Sequence, residues 1–388
     1  MDIQSKLAGH LNAIPRSGIR DFFELVIGRN DVISLGVGEP DFSTPWSIRE
    51  AAIYSLEKGE TSYTSNLGML SLREKITEYV DEFFHISYRP DSEVLVTVGV
   101  SEALDLALRA LLNPGDEVIY HEPCYVSYSP SIVMAHGVAV PVATTQEDGF
   151  SLKPAALAAA ITPRTKIVML NFPTNPTGAV ATQEDLEGIT KLCIEHDLIV
   201  LSDEIYSELR YDDEEHVSIA SLPGMRERTI LLHGFSKAFA MTGFRLGYAC
   251  APPELIEAMM KIHQYGILCA PITSQAAALE ALSGGETLYE PMKREYRQRR
   301  DFLVNRLNGM GVDCHLPGGA FYVFPNIQKF GLTSQEFAMG LLEAEQVAAV
   351  PGDAFGPSGE GFLRCCYATG MKDLKEAMCA MERYLKTL

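Results

Sequence analysis

One lysine of this sequence, Lys237, lies in a setting that could support covalent chemistry. It is surrounded by small residues in the stretch GFSKAFAMTGFRLGY, residues 234–248, and it follows an apolar run that predicts a buried strand. A lysine at a strand end can be partly desolvated, which lowers the pKa of its amine and allows the neutral amine to form an imine with an aldehyde. Alternatively, Lys237 is one of many solvated surface lysines, and only the rest of the chain can decide between these interpretations.

Polar residues also follow two other apolar segments in the central part of the chain. Asn175 lies in NFPTNPTG, Asp203 lies in LSDEIY, and each comes just after a predicted strand. Because ligands of a parallel sheet lie beyond the carboxyl ends of its strands, we expect both residues to converge with Lys237. A carboxylate at the end of an apolar strand requires a partner, which for Asp203 is either a structural salt bridge or the protonated ring nitrogen of a ligand. Asn175 and Tyr206 offer neutral donors suited to a phenolic oxygen.

Backbone groups and two arginines could bind anions. The run VLVTVG stops at Gly99, and SEALDLALRALL, residues 101–112, has the period of a helix packed on a sheet. A strand, a glycine and a helix that opens with Ser101 direct free N–H groups towards an anion such as phosphate, although such junctions are common. Arg245 is one candidate cation. Arg364 is the other, and it lies in an apolar strand where a guanidinium needs an anionic partner such as a substrate carboxylate.

The order of strand and helix signals predicts the fold class. These signals alternate from residue 138 to residue 251, which indicates an α/β fold with a mostly parallel sheet covered by helices on both faces. With 388 residues and 47% hydrophobic content, the chain can form one large domain and one smaller α+β domain. We predict an N-terminal arm at residues 1–45 that joins the smaller domain, a large domain at residues 46–285, and the rest of the smaller domain at residues 286–388.

Composition argues against several classes of function. The formal net charge of −19 disfavours a general nucleic-acid or anionic-membrane surface, and it means that an anionic ligand requires local cations. The sequence has no run of about eighteen apolar residues and no secretory signal, so we expect a cytoplasmic protein that does not bind membranes. Eight scattered cysteines without a C-x-x-C pair predict reduced thiols, with neither a disulfide framework nor a metal site.

Taken in order, six motifs resemble those of one enzyme family: LGVGEPDF, NPTG, SDEIY, SKAFAMTGFRLGY, PGGAFY and FLR. The family is the class I/II, pyridoxal-phosphate-dependent aminotransferases of fold type I, in particular the subgroup that contains many prokaryotic aspartate aminotransferases. The resemblance covers nearly the whole chain. It implies a seven-stranded, mostly parallel sheet in the large domain, pyridoxal 5'-phosphate as cofactor, and a homodimer whose subunits share active sites. It also implies ping-pong transfer of an amino group from an L-α-amino acid to a 2-oxo acid such as 2-oxoglutarate.

The same resemblance implies roles for individual residues. Lys237 is similar to the lysine that binds the cofactor aldehyde and shuttles the proton, and Asp203 is similar to the partner of the pyridine nitrogen. Asn175 and Tyr206 resemble the groups on the phenolic oxygen. A substrate-binding role is implied for Arg364, which resembles the anchor of the α-carboxylate, and for Gly38 and Asn175 on the substrate side.

A further set of residues resembles the groups that hold the rest of the cofactor. One of Tyr125 and Tyr128 could stack on a planar ring, with ordinary core or rim packing as the alternative, and Tyr125 is the one that resembles the stacking aromatic residue of the family. The phosphate site is implied for Val100, Ser101, Glu102 and Arg245, together with Tyr63 donated by the neighbouring subunit.

Two positions depart from the pattern of the family. Many relatives carry a serine three residues before the lysine, where this chain has Gly234, so we expect Ser236 to supply the hydroxyl that helps to hold the phosphate. Some aspartate-specific relatives carry a lysine for the side-chain carboxylate at the position that matches Ser101. Its absence here predicts a transaminase of moderate breadth, which accepts aspartate or glutamate and also neutral or aromatic amino acids.

Substrate choice is expected to depend on the arm from Ile14 to Phe23, on the turn from Gly36 to Gly38 and on residues near Ser101. The arm offers three apolar side chains, Ile19, Phe22 and Phe23. Its two cations, Arg16 and Arg20, could equally lie in solvent. Two other functions remain open, namely a lyase or decarboxylase on the same scaffold and a non-catalytic, cofactor-binding regulator. The second is disfavoured because the chain is acidic and has no N-terminal helix-turn-helix extension.

Overall fold

The computed structural model describes residues 3–14, 31–212 and 214–388. In these ranges the chain forms twelve β-strands, of which the longest belong to one central sheet. The strands are β1 (Ile33–Ser34), β2 (Val94–Thr97), β3 (Glu117–Glu122), β4 (Val138–Ala143), β5 (Thr165–Asn171), β6 (Ile199–Asp203), β7 (Thr229–Gly234), β8 (Gly247–Cys250), β9 (Tyr322–Val323), β10 (Val347–Ala348), β11 (Val350–Pro351) and β12 (Leu363–Cys366).

Eleven α-helices are present in the same ranges. They are α1 (Trp46–Glu57), α2 (Leu70–Phe84), α3 (Gly99–Leu111), α4 (Tyr128–Met134), α5 (Pro154–Ala160), α6 (Gln183–Glu195), α7 (Pro253–Gly266), α8 (Ile272–Gly284), α9 (Glu286–Gly309), α10 (Ser334–Glu345) and α11 (Met371–Leu385). The helix predicted over residues 101–112 is α3, which begins two residues earlier, at Gly99, and ends at Leu111.

Seven strands form the central sheet in the order β2-β8-β7-β6-β5-β3-β4. Neighbouring strands from β4 to β7 run parallel, whereas β8 is antiparallel to both β2 and β7. A helix follows each of β2, β3, β4 and β5, which is the type of connection that parallel strands require. The predicted α/β fold class and the mostly parallel seven-stranded sheet are confirmed.

Side chains at successive strand positions pack on opposite faces of this sheet. In β6, Val200 belongs to the apolar cluster on one face and Leu201 to the cluster on the other, and Ile167 and Val168 of β5 alternate in the same way. All four side chains are buried. Since strand side chains alternate with a period of two, a sheet covered on both faces needs continuous apolar runs, as these strands have.

Two smaller sheets are built from both ends of the chain. β1 pairs with β10 in parallel, and β12 pairs with β11 and β9 in antiparallel orientation. The backbone N–H of Cys366 donates to the carbonyl of Leu35 at 2.7 Å, and the N–H of Leu35 donates to the carbonyl of Ala348 at 2.8 Å. These bonds hold the Gly36–Glu39 segment beside β12, the strand that carries Arg364.

Candidate active site

A cavity of ≈ 520 Å³ opens at the carboxyl ends of β5, β6 and β7. Asn171 ends β5, Asp203 ends β6 and Lys237 follows β7, so the parallel sheet brings all three residues to the same edge. Eleven of the thirteen residues predicted for the site line the cavity: Gly38, Val100, Ser101, Tyr125, Asn175, Asp203, Tyr206, Ser236, Lys237, Arg245 and Arg364.

The amine of Lys237 is available for reaction. Its Nζ donates a hydrogen bond of 2.8 Å to the carbonyl oxygen of Gly38 and lies 5.8 Å from the ring centroid of Tyr206. Burial lowers the pKa of the amine to about 8, although Cys366 and Glu39 act in the opposite direction. With such a pKa about a tenth of the amine is neutral at pH 7, which is the form that attacks an aldehyde.

Asp203 is a buried carboxylate that has hydrogen-bond donors but, among the described residues, no counter-charge in direct contact. Its Oδ2 accepts a hydrogen bond of 2.7 Å from the hydroxyl of Tyr128, and its Oδ1 accepts the backbone N–H of Ile205 at 3.3 Å. Burial raises the pKa of Asp203 to about 6, and the hydrogen bond from Tyr128 opposes this shift. A cation such as a protonated heterocyclic nitrogen would therefore be stabilised beside it.

Asn171 joins Asp203 to the turn that contains Asn175. Its Nδ2 donates to the backbone carbonyl of Asp203 at 2.9 Å, and its Oδ1 accepts the backbone N–H of Asn175 at 3.2 Å. The N–H of Asn171 itself donates to Nε2 of His121 at 3.2 Å, and burial lowers the pKa of His121 to about 4, so this ring is a neutral acceptor. One buried side chain thus fixes Asn175 relative to Asp203.

Arg364 is a buried guanidinium without an acidic partner among its described contacts. Nη1 donates to Oδ1 of Asn175 at 3.0 Å, Nη2 donates to the carbonyl of Gly36, and Nε has no partner in the part of the chain that the structure describes. The guanidinium carbon lies 4.6 Å from the ring centroid of Tyr322 and 4.7 Å from that of Phe355. A planar cation held between two rings, with a free N–H, is suited to an anion such as a carboxylate.

Two tyrosine hydroxyls meet next to this guanidinium. The hydroxyl oxygens of Tyr206 and Tyr322 lie 2.9 Å apart, and Gly38 is in close contact with the second, because a Cβ at Gly38 would lie 2.5 Å from the Tyr322 hydroxyl. Burial raises the pKa of both tyrosines, so both keep their protons. When one hydroxyl donates to the other, the second proton remains free to donate to an oxygen of a ligand.

The first turn of α3 and Arg245 form the wall suited to an anion. Val100 and Ser101 line the cavity, and Gly99 has a φ of 74°, which a glycine adopts without strain. A Cβ at Gly99 would lie 2.7 Å from Nη2 of Arg245, so the guanidinium packs directly on this turn. Nη1 of Arg245 donates to the carbonyl of Thr242 at 3.0 Å. Free N–H groups of a helix start beside an arginine are a site for a phosphate.

Packing explains the glycine at position 234. Gly234 of β7 is paired with Gly247 of β8. A Cβ at Gly234 would lie 2.9 Å from the Cα of Gly247 and 3.1 Å from Cγ2 of Val100. A serine there would have to displace the neighbouring strand or the first turn of α3. Ser236 lines the cavity, so it remains the candidate for the missing hydroxyl.

Two predicted site residues do not line the cavity. The side chain of Glu102 is directed to His263, with 2.6 Å between Oε1 and Nδ1, so only its backbone N–H can face an anion. Tyr63 lies in the loop between α1 and α2 with 81% of its surface exposed. The predictions for Ile19, Phe22, Phe23, Arg16 and Arg20 fall outside the described residues.

Among the cavity-lining residues that sequence reasoning missed, three bear directly on the chemistry of the site. Asn171 and Tyr322 were not singled out, and Tyr128 was considered for ring stacking rather than for the bond it makes with Asp203. Each lies near a predicted residue: Asn171 precedes Asn175 in NFPTN, Tyr128 follows Tyr125 in YVSY, and Tyr322 belongs to PGGAFY. Their proximity to these motifs is the signal that could identify them, but a motif does not reveal the direction in which a side chain points.

In the described ranges, no group of three or more His, Cys, Asp or Glu side chains is arranged to hold a metal ion. None of the helices in these ranges is long and apolar enough to cross a bilayer. The eight cysteines are free thiols, and six of them are buried.

The seven-stranded sheet, with a lysine, a carboxylate and an arginine around the cavity at its carboxyl edge, defines an aminotransferase of fold type I. A family model described as "Aminotransferase class I and II" matches residues 30–380, and the chain belongs to this family. It is 54% identical over 381 residues to the Bacillus subtilis protein YugH, and the matched region covers 98% of each chain. It is 45% identical over 382 residues to an aspartate aminotransferase of Pyrococcus abyssi, again 98% of each chain.

A solved structure agrees with these sequence relatives. The aromatic aminotransferase from Pyrococcus horikoshii OT3 superimposes with a TM-score of 0.91 at 47% sequence identity, over 95% of this chain and 99% of that one. The aminotransferase function expected from the sequence is confirmed, and the protein is an enzyme of the transferase class. The comparisons do not favour a lyase, a decarboxylase or a non-catalytic regulator.

Proposed function

We propose that this protein is a pyridoxal 5'-phosphate-dependent transaminase, which moves the amino group of an L-α-amino acid to a 2-oxo acid in a ping-pong reaction. One observation carries the proposal: the amine of Lys237, the carboxylate of Asp203 and the guanidinium of Arg364 open onto one cavity. A nucleophilic amine, a carboxylate without a counter-charge and a guanidinium without an anion are the three groups that this reaction requires.

The residues around the cavity fit this cofactor. The start of α3 and Arg245 suit a phosphate, while Asp203 lacks the cation that a protonated pyridine nitrogen would provide. The volume of ≈ 520 Å³ lies in the range of about 300–1,000 Å³ that small-molecule sites occupy. The site therefore offers a partner for each charged end of the cofactor.

Lys237 would carry out both the covalent step and the proton transfer. When bound, pyridoxal phosphate supplies an aldehyde that takes up the amino group and a ring that accepts the electron pair left as the Cα proton departs. The amine of Lys237, with its lowered pKa, would hold the aldehyde carbon until a substrate amine displaces it. The freed amine would then take the proton from Cα and deliver it to the former aldehyde carbon, and acid–base catalysis of this kind contributes about 10²–10⁴-fold.

Asp203 would keep a proton on the ring nitrogen. Its carboxylate is oriented by the hydroxyl of Tyr128, and its backbone carbonyl is held by Nδ2 of Asn171, so the group does not need to reorganise when a cation arrives. A protonated nitrogen would in turn favour the ionised form of Asp203, which burial alone disfavours.

The other predicted residues would hold the periphery of the cofactor. Asn175 and Tyr206 present neutral donors for the phenolic oxygen, and Tyr125 offers an aromatic face for the ring. The proposed phosphate site comprises Val100, Ser101 and Glu102 through their backbone, the hydroxyl of Ser236, the guanidinium of Arg245, and Tyr63 of the partner subunit.

Arg364 would bind the α-carboxylate of every substrate, so it cannot distinguish one amino acid from another. Its free Nε and its contact with Asn175 support this role, and Gly38, whose carbonyl accepts a hydrogen bond from the Lys237 amine, would lie on the substrate side. Ser101 supplies no cation for a second carboxylate. We therefore propose moderate breadth, with aspartate, glutamate, aromatic or neutral donors and 2-oxoglutarate as an acceptor. Relatives described as aspartate and as aromatic aminotransferases support this breadth.

We further propose that two copies of the chain form a homodimer. Large apolar side chains are exposed near Tyr63 and around the end of α7, including Leu70, Tyr265 and Ile267. Nδ2 of Asn66 donates to the carbonyl of Leu268 at 2.7 Å, which brings these two segments together. Exposed apolar side chains on neighbouring segments are typical of a protein interface.

The domain division and the location expected from the sequence are also retained as proposals. The parallel pairing of β1 with β10 supports an arm at residues 1–45 that joins a small domain at residues 286–388, next to a large domain at residues 46–285. Eight free thiols support the cytoplasm, where cysteines stay reduced. Limited proteolysis and fractionation of cells would test the two proposals separately.

A panel of amino donors tests the proposed breadth. We expect kcat/KM values for aspartate, glutamate, phenylalanine and alanine, each with 2-oxoglutarate, to lie within a few hundred-fold of one another, because apolar pockets discriminate by only about 10–200-fold per methylene. A preference for aspartate of more than about 10⁴ over every neutral donor would require a dedicated cation. Arg16, Arg20 or an arginine of a neighbouring subunit would then be the residue to replace.

A further inference from the structure

Glu102 places a negative charge at the N-terminal end of α3, where another anion is proposed to bind. It is in the first turn of α3, whose N–H groups belong to the proposed phosphate site. Negative charge at a helix start is favourable by itself, but two anions at one helix start repel each other and compete for the same N–H groups. The chain therefore needs a way to keep the Glu102 carboxylate apart from the ligand.

His263 of α7 is the group that holds this carboxylate. Nδ1 of His263 lies 2.6 Å from Oε1 of Glu102, and Oε2 of Glu102 accepts the backbone N–H of Val98 at the start of α3. The ring of His263 is fully buried, and its Nε2 has no partner among the described residues. The contact with Glu102 is thus the hydrogen bond that compensates the burial of this ring.

The direction of the Glu102 side chain separates the two anions. Val100 and Ser101 line the cavity, whereas Glu102 does not. One carboxylate oxygen holds the backbone before the first turn of α3 and the other is tied to α7, so the free N–H groups of the turn remain open to the cavity. Arg245 packs on the same turn, against Gly99.

We propose that Glu102 and His263 form a positioning pair, which fixes the anion-binding turn of α3 and holds the carboxylate charge behind it. The side chains of the pair do not touch the ligand and act through the backbone of the turn. This inference rests on the proposed function, because it assumes that the turn binds the cofactor phosphate. Loss of His263 should release the Glu102 carboxylate towards the cavity, and removal of the charge from Glu102 should relieve the effect.

The test measures binding by the full chain after its cofactor has been removed, for the wild type, His263→Leu and the double variant Glu102→Gln/His263→Leu. The probes are inorganic phosphate, pyridoxal phosphate and pyridoxal, which lacks the phosphate. We expect His263→Leu to weaken the affinity for phosphate and for pyridoxal phosphate at least tenfold, with little change for pyridoxal. The double variant should recover to within threefold of the wild type.

Two controls distinguish positioning from a general loss of stability. His216→Leu breaks another buried pair, in which Nε2 lies 2.6 Å from Oε2 of Glu204, and it should leave phosphate affinity unchanged. His263→Gln keeps an N–H donor and should stay within threefold of the wild type, which provides a result even if His263→Leu does not fold. A tenfold loss in folded His263→Gln would contradict the proposal.

The outcomes also separate this inference from the proposed function. If the wild type does not bind pyridoxal phosphate, the proposed function fails. If the wild type binds it but His263→Leu retains full affinity for phosphate, or if Glu102→Gln restores nothing, the positioning pair is refuted and the proposed function stands.

Discussion

Tyr128 donates a hydrogen bond of 2.7 Å to the carboxylate of Asp203, and both side chains are buried. The bond connects the start of α4 with the end of β6. It stabilises the ionised form of Asp203, whose pKa burial raises to about 6. The hydrogen bond from Tyr128 thus opposes the effect of burial, which disfavours the ionised carboxylate. Such an arrangement is typical of a site that binds a cation.

Replacement of Asp203 by asparagine should abolish turnover and preserve the fold. Without the carboxylate, the ring nitrogen of the cofactor stays largely unprotonated, so we expect kcat to fall at least about 100-fold and cofactor affinity to fall much less. The melting temperature of the cofactor-free protein at pH 7 should not decrease, because a desolvated charge is removed. If Asp203 served only as a structural ion-pair partner, the variant would melt earlier and keep its turnover per folded molecule.

The reactivity of Lys237 should follow its lowered pKa of about 8. The rate at which cofactor-free protein takes up pyridoxal phosphate should rise about tenfold per pH unit up to about pH 8 and then level off, since only the neutral amine reacts. The same pKa shift makes stability depend on pH. Between about pH 8 and pH 10.5 the unfolded chain binds a proton at Lys237 that the folded protein lacks, so the free energy of unfolding rises with pH in this range. A rate that keeps rising to pH 10 would indicate a solvated lysine.

Replacement of Arg364 should separate binding from stability. We expect Arg364→Leu to lower kcat/KM about 10–150-fold for aspartate and phenylalanine alike, because hydrogen bonds to a charged group contribute about 1.5–3 kcal/mol. The melting temperature should stay the same or increase, since the guanidinium is buried without an acidic partner. Arg364→Lys keeps the charge and should recover part of the loss. Equal activity in all three proteins would exclude Arg364 as the carboxylate anchor.

Introduction of the serine that many relatives carry should harm this chain. In Gly234→Ser the new Cβ would meet Gly247 and Val100, so we expect a loss of about 1–3 kcal/mol in the free energy of unfolding, together with weaker binding of inorganic phosphate. Ser236→Ala serves as the comparison and should weaken phosphate binding without a change in stability. A Gly234→Ser protein with unchanged stability and tighter phosphate binding would contradict the packing argument.

The sequence was informative wherever chemistry follows a strong strand signal. Lys237, Asp203 and Asn175 each come after an apolar run, and parallel strands bring such positions to one edge, so their convergence could be predicted without coordinates. The helix start near Ser101 was predictable for a similar reason, although its first residue was not, because Gly99 has no side chain that marks a boundary.

Contacts between distant segments and the directions of side chains could not be predicted. The bond from Tyr128 to Asp203 spans 75 residues and the bond from Arg364 to Asn175 spans 189, and no local pattern encodes either. Glu102 was expected at the phosphate on the basis of its position in the turn, but its carboxylate is directed to His263 because α7 packs on α3. The effect of Gly234 likewise depends on a strand pairing that only the fold reveals.

The most direct test is a single half-reaction without an acceptor. Wild-type protein loaded with pyridoxal phosphate is mixed with an excess of glutamate, and the 2-oxo acid, ammonia and carbon dioxide are quantified together with the absorbance of the cofactor. We predict one equivalent of 2-oxoglutarate per site and complete conversion of the cofactor to its amine form, with a rate at least about 10³-fold lower in Lys237→Ala, which loses both the nucleophile and the base. Release of ammonia or carbon dioxide with the aldehyde form retained, or more than about a tenth of the wild-type rate in Lys237→Ala, would contradict transamination by this lysine.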